Sequence, residues 1–210
     1  MDLFEAIETR NSARKFKDEI PPMEDILKIL DAARRAPSST NSQMWHYVVI
    51  TNPEVKEQMR EAIIETYEEM QTWEEAQDKY AALEHYKKYS SFFTSAPVNI
   101  AVLMEPEGSE ILKILKKRGL TDEEINRKRP SPELLSVGAS VENLSLAAHA
   151  MGYGTCWLTA PLYAVDKLEQ IIGVKEPYQL VSILCMGTPL VSKLKQRKKK
   201  DISEIYTVID

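Results

Sequence analysis

Four short apolar runs, set among longer stretches of helical periodicity, most constrain what this chain can fold into. Residues 46–51 (HYVVIT), 98–103 (VNIAVL), 154–159 (GTCWLT) and 179–187 (QLVSILCMG) each predict a strand, the last one buried on both faces. The segments between them carry apolar residues at helical spacing. Asp2 caps a first helix with Leu3, Phe4 and Ile7 on one face, and a second spans 22–36 with Met23, Ile26, Leu27, Leu30 and Ala33 inward until Pro37 ends it. Asn52-Pro53 opens a third, with Val55, Met59, Ala62 and Ile63 inward. Short helices follow at 110–117 and 121–127, the second with a capping box from Thr121 to Glu124. Ser131-Pro132 begins a long apolar helix that Gly152 closes, and 165–172 is a helix capped by Gly173. Strands recurring between more numerous helices leave α/β and α+β as the two fold classes.

Residues 65–93 break this rhythm, being dense in charge yet holding Tyr67, Trp73, Tyr80, Tyr86, Tyr89, Phe92 and Phe93. Aromatic stripes at helical spacing usually pack, which predicts a long solvated helix docked on the body. The sharper alternative is a lid over a ligand site.

With 210 residues and no repeat, low-complexity tract or Gly/Ser linker, the chain reads as one domain over 1–210. No run approaches the roughly 20 apolar residues of a membrane span. The acidic start, Met1-Asp2-Leu3-Phe4-Glu5, lacks a signal-peptide layout, so the expected location is cytoplasmic. The 27 basic and 32 acidic side chains give a net charge of −5, which argues against nucleic acid as a partner. One local exception stands out: residues 193–200 hold six basic side chains and no acid.

Most catalytic chemistries lack their residues here. His46, His85 and His149 are scattered, so no metal site is expected. Cys156 and Cys185 sit in apolar strand-like runs, where cysteine acts as a small buried hydrophobe. No nucleophile elbow or P-loop occurs. Gly152-Tyr153-Gly154 ends a helix and has Trp157 where a dinucleotide fingerprint needs a third glycine. Two polar segments are more informative. Arg10, Ser12 and Arg14 alternate, so an extended backbone places two guanidiniums and a hydroxyl on one side, which suits a phosphate monoester. A solvated loop would read the same way. Residues 36–45 (APSSTNSQMW) carry six hydroxyl or amide side chains, enough to bond a heteroaromatic edge and a polyol, though an ordinary capped loop could also look like this.

Five motifs in order, RNSARKF (10–16), APSSTNSQMW (36–45), SAPV (95–98), GASVENLSLAAHAMGYGTCWL (138–158) and MGTP (186–189), resemble the nitroreductase family. They span nearly the whole chain; only 66–93 and 105–129 lack a counterpart, the former a variable, lid-like helical insertion. Met44 stands where the family commonly has proline. The resemblance implies an α+β fold with a mixed, mainly antiparallel sheet flanked by helices, in an intertwined homodimer. It further implies tightly bound FMN at the dimer interface, with NAD(P)H as transient reductant. Arg10, Asn11, Ser12 and Arg14 then match phosphate and flavin-edge contacts, and Pro37, Ser38, Ser39 and Asn41 match contacts from the partner chain. Leu158, Thr159 and Ala160 match the segment beside the flavin ring. The basic residues that close on the phosphate fall at Arg197 first, with Lys195 and Lys199 as other registers. In the family's ping-pong scheme, hydride passes from nicotinamide to flavin N5 and then to a nitroaromatic, quinone or activated alkene. No catalytic side chain is implied beyond Arg14 as a stabiliser of the reduced flavin's negative charge. The same scaffold hosts reductive dehalogenases of the iodotyrosine type and flavin-fragmenting enzymes. A flavin-storage protein without turnover is the rival of another class.

Overall fold

The computed structural model describes residues 1–106, 108–191 and 198–209. The four apolar runs form β1 (Trp45–Ile50), β2 (Val98–Met104), β3 (Gly154–Leu158) and β4 (Gln179–Gly187), in the spatial order β1-β2-β4-β3. All three strand pairs are antiparallel. Outside the four strands, a parallel bridge joins Ser12 to Thr155, beside which the Ala13 N–H donates to the Thr155 carbonyl at 2.8 Å. A strap of residues 11–16 thereby covers the otherwise free edge of β3, which an edge strand needs.

Helices cover both faces of this sheet, so the central strands alternate between two cores. Ala101, Leu103, Ile183, Cys185, Cys156 and Leu158 face α3 (Pro53–Gln71) and α8 (Val165–Ile172). Val98, Ile100, Val102, Leu184 and Met186 face α2 (Met23–Ala33) and α7 (Pro132–Ala150). Burial on both sides explains why β2 and β4 read as continuous apolar runs instead of alternating ones. The architecture is α+β.

Local signals set the helix ends. Asp2 Oδ1 accepts from the Glu5 N–H at 2.9 Å at the start of α1 (Leu3–Thr9), and Asn52 Oδ1 accepts from Glu54 N–H at 2.8 Å at the start of α3. Both bonds of the Thr121–Glu124 capping box form at the head of α6 (Asp122–Lys128), which follows α5 (Glu110–Lys117). Gly152 and Gly173 close α7 and α8 at φ +88° and +70°, values that favour glycine.

Which stripe turns inward is a different matter. In α1 only Ala6 is buried, and Leu3, Phe4 and Ile7 all face outward, Phe4 with 75% of its surface exposed. In α2 the buried set is Ile26, Ile29 and Ala33, while Met23 and Leu27 face solvent. Both helices carry more apolar surface than this chain covers.

The aromatic segment is not one long helix. α3 stops at Gln71, a 3₁₀ turn at Glu74–Lys79 reverses the chain, and α4 (Tyr80–Ser91) returns along α3. Doubling back lets Tyr67 and Phe93 bury fully, with Tyr67 Oη and Ser90 Oγ hydrogen-bonded at 2.8 Å. Trp73, Tyr80 and Tyr86 remain outside.

Beyond α7, the Tyr153 hydroxyl donates to Asp25 Oδ2 at 2.6 Å, which pushes the phenol up to about 12. The folded state therefore holds this proton more tightly than the unfolded chain does. The bond's contribution is whole below the ordinary tyrosine value of 10 and fades as pH rises through 12. Tyr153→Phe should cost about 1 kcal/mol at pH 8. In thermal melts, its gap to the parent protein should narrow as pH climbs from 10 to 12.

Candidate functional site

Past the end of α1 the backbone turns extended at Arg10 (φ −59°, ψ 129°) and enters the strap along β3. Thr155 and Trp157 alternate with the buried Cys156 and Leu158, and Thr159 follows on the same side as the first two. These three, with Arg10 and Ser12 from the strap and Glu142 and Ser145 from α7, line a cavity of about 340 Å³. That lies at the low end of the roughly 300–1,000 Å³ of small-molecule sites. Arg10 Nε lies 3.3 Å from Glu142 Oε1, and both side chains keep access to solvent. The Asn11 amide donates to Thr9 O at 3.4 Å.

Arg14 takes a different course from Arg10. Its guanidinium donates to Ser12 O at 3.5 Å and stands 6.0 Å from the centre of the Tyr89 ring on α4. Partial loss of solvent around its head disfavours the charge, but the neighbouring Tyr89 and the two nearby thiols outweigh that and raise its pKa. The helical insertion is thus tied to the strap through a cation–π contact.

The polar loop lies elsewhere on α7. Ser39 N–H donates to Ser136 Oγ at 3.1 Å, and Ser38 Oγ accepts from Gln43 N–H at 3.1 Å. Thr40, Asn41 and Gln43 all have positive φ, 54°, 57° and 48°, an accumulation of strained residues that often marks a ligand site. Pro37 and Asn41 are exposed, and Ser38 and Ser39 are half-buried. Met44 is buried, and its carbonyl accepts from Glu105 N–H at 2.8 Å, anchoring the loop to the end of β2. Ser136 and the cavity residues Glu142 and Ser145 are about 9–14 Å apart along the helix axis. One chain therefore brings Arg10, Ser12 and Thr159 together and leaves Pro37, Ser38, Ser39 and Asn41 apart from them. Leu158 is buried below the cavity, and Ala160 is half-buried at the start of a 3₁₀ turn. Lys199 is exposed; Lys195 and Arg197 lie outside the described residues.

Glu142, Ser145, Thr155 and Trp157 were not anticipated as cavity residues. For the two strand residues the signal was there, since the alternation that buries Cys156 and Leu158 must turn Thr155 and Trp157 the other way. Glu142 is conspicuous as a lone acid in an apolar helix, but its meaning depends on Arg10 arriving opposite. The closeness of strap and strand is equally tertiary: a Cβ on Gly154 would stand 2.5 Å from Ala13 Cβ and 3.1 Å from Pro189 Cγ. Gly154→Ala should force the strap off β3 and cost about 1–3 kcal/mol, readable as a lower melting temperature.

Among the described residues, no group of three or more His, Cys, Asp or Glu side chains could hold a metal ion. No described helix is long and apolar enough to cross a membrane.

A BluB-like flavoprotein from Clostridium difficile 630 is 33% identical, with a TM-score of 0.89 over 100% of both chains. A protein of Methanothermobacter thermautotrophicus, provisionally named NADH dehydrogenase/NAD(P)H nitroreductase, is 28% identical over 90% of this chain and 78% of its own length. The iodotyrosine deiodinase of Hydra vulgaris is also 28% identical, over 100% of this chain and 73% of its own length. A nitroreductase with bound FMN from Desulfitobacterium hafniense shares the fold, with a TM-score of 0.72 over 99% and 97% of the two chains at 20% identity. The model of the nitroreductase family matches residues 7–188. With the strap, the polar loop and the four-stranded sheet all inside that range, this chain belongs to the nitroreductase family.

Proposed function

We propose that this protein is a single-domain, FMN-dependent oxidoreductase. It passes hydride from NAD(P)H, through a tightly bound flavin, to nitroaromatics, quinones or related small oxidants. One observation carries the reading: the strap and β3 build one polar wall with a cation in it, while a second polar, strained loop stands too far away in the same chain to complete it. A second copy supplies the missing wall, with Pro37, Ser38, Ser39 and Asn41 facing Arg10, Ser12 and Thr159 across a homodimer interface. The outward apolar residues of α1 and α2, together with Leu134 and Leu135 on α7, provide the surface that such a dimer covers.

The residues present fit FMN. Arg10 offers a charge-assisted bond to a phosphate, Asn11 and Ser12 add neutral donors, and Arg14, which stands toward Tyr89 in this chain, would turn in as the second cation. The segment Leu158–Thr159–Ala160 offers backbone groups to a ring edge, and Arg197 and Lys199 are the basic residues assigned to close on the phosphate. When bound, the flavin supplies the hydride chemistry, so the chain's own work is binding, orientation and electrostatics. Arg14, whose charged form its surroundings favour, would stabilise negative charge on the ring of a bound flavin. Glu142 holds Arg10 in place until an anion competes for it. Two buried free thiols suit a reducing compartment, in keeping with a cytoplasmic protein.

Steady-state turnover tests the assignment. NADH or NADPH should be consumed in the presence of a quinone or nitroaromatic. A flavin-loaded protein that consumes neither would instead be a storage protein. Reductive dehalogenation is a second reading, favoured by the Hydra relative's name and by an aromatic helical insertion that touches the strap at Tyr89. Activity confined to halotyrosines would select it.

A further inference from the structure

Cys156 and Cys185 have no part in the function proposed above, yet they stand directly opposite each other on β3 and β4. Thr155 directs its backbone groups to the strap, so those of Cys156 point to β4 and the cysteine pair is a hydrogen-bonded one. Such pairs have Cα atoms about 5.5 Å apart. That separation lies within the range a disulfide spans, and drawing the Cβ atoms together leaves the bond easier to reduce than a relaxed one. The Cys185 thiol reaches across to the other strand, donating to the Cys156 carbonyl at 3.7 Å.

The surroundings are unusual for thiols that merely pack. Asn99 lies beside Cys185 in the register, and its buried amide has no partner in the structure. At the other end, Ser12 of the strap is bridged to Thr155, the residue next to Cys156, and the Arg14 guanidinium is close enough to favour the Cys156 thiolate. The Cys185 thiol does so more strongly, against the effect of burial. A thiol flanked by a cation and a second thiol has the electrostatic environment of a reactive one once it is uncovered. Ala13 and Phe16 of the strap belong to the same apolar cluster as the cysteines, so lifting the strap uncovers them.

We propose that Cys156 and Cys185 are a redox-active pair that closes reversibly into a cross-strand disulfide. Closure loosens the flavin cradle by shifting β3 at Cys156, next to Thr155, to which the strap is bonded through Ser12 and Ala13. The oxidant is a hydroperoxide. The Cys156 thiolate attacks one peroxide oxygen, the O–O bond breaks, and the leaving alkoxide takes a proton to depart as an alcohol. The Cys185 sulfur then attacks the resulting sulfenic acid, forming the S–S bond, and its proton leaves with the hydroxyl as water. Two thiols and one hydroperoxide thus give one disulfide, one alcohol and one water. The link to the cradle rests on the flavin reading; disulfide formation does not.

The test treats the protein as purified with hydrogen peroxide, for which the alcohol is a second water, and maps its peptides. The expected product is a peptide pair joined through 156 and 185, absent in Cys156→Ser and in Cys185→Ser, and reversed by dithiothreitol. Two unmodified thiols, or a sulfinic acid at Cys156 with no joined pair, would overturn the proposal. FMN titration of the oxidised and reduced forms reads the coupling. Loss of one hydrogen bond between strap and β3 should weaken binding by about tenfold. A joined pair with unchanged FMN affinity refutes the coupling alone. Failure of the fully reduced protein to bind FMN would count against the flavin assignment while leaving the peptide map decisive for the disulfide.

Discussion

The double substitution Arg10→Ala with Arg14→Ala is expected to give a folded protein that purifies colourless. Neither side chain belongs to the core, since Arg14 is exposed and Arg10 pairs with Glu142 at the cavity rim. Circular dichroism and the melting temperature should therefore stay close to the parent's. A hydrogen bond between charged groups contributes about 1.5–3 kcal/mol, so losing both should weaken FMN binding by roughly 10²–10⁴-fold. Removing Arg10 also leaves the Glu142 carboxylate uncompensated in the same cavity, which repels a phosphate further. Visible absorbance of the purified variant reads the result. A yellow protein with full flavin content would mean that the strap does not hold the phosphate.

Truncation after Pro189 should have the second large effect, giving a monomer with weakened flavin binding. In the described part of this tail, every residue of 198–209 is exposed, including Ile202, Ile205, Tyr206, Val208 and Ile209. Ile209 keeps 93% of its surface in solvent. Five large apolar side chains on a tail that buries none of them within its own chain call for another surface. The truncation leaves both cores intact, so the shortened chain should fold. It also removes the basic residues, Arg197 and Lys199 among them, assigned to the phosphate. Sedimentation and FMN titration measure the two consequences. A dimer of undiminished flavin affinity would exclude the tail from both roles.

Features with local causes were legible in the residues. The four strands are short, apolar and bounded by turns, and each forms within a residue or two of its expected limits. Asp2, Asn52 and Thr121 cap helices because a side-chain oxygen there meets backbone N–H groups in the next turn. Tertiary features were less legible. Nothing in α2 marks Ile29 as buried and Leu27 as exposed, because both lie on apolar stripes and only the position of α7 chooses between them. The reversal of the aromatic segment depends on Tyr67 and Phe93 finding one shared core. The apolar face of α1 was visible, but periodicity does not distinguish a core from an interface. At the site, Arg10, Ser12 and Thr159 line one cavity. The separation of Arg14 toward Tyr89 and the entry of Glu142 into the cavity come from chain segments far apart in sequence.

The central claim is that Arg10, Ser12 and the end of β3 hold a flavin that turns over with a nicotinamide. An absorbance spectrum of the purified protein, followed by anaerobic titration with NADH and NADPH, tests it most directly. The account predicts a flavin spectrum that one or both reductants bleach stoichiometrically and that a quinone restores. A protein that carries no flavin and takes up none when FMN is added would contradict it.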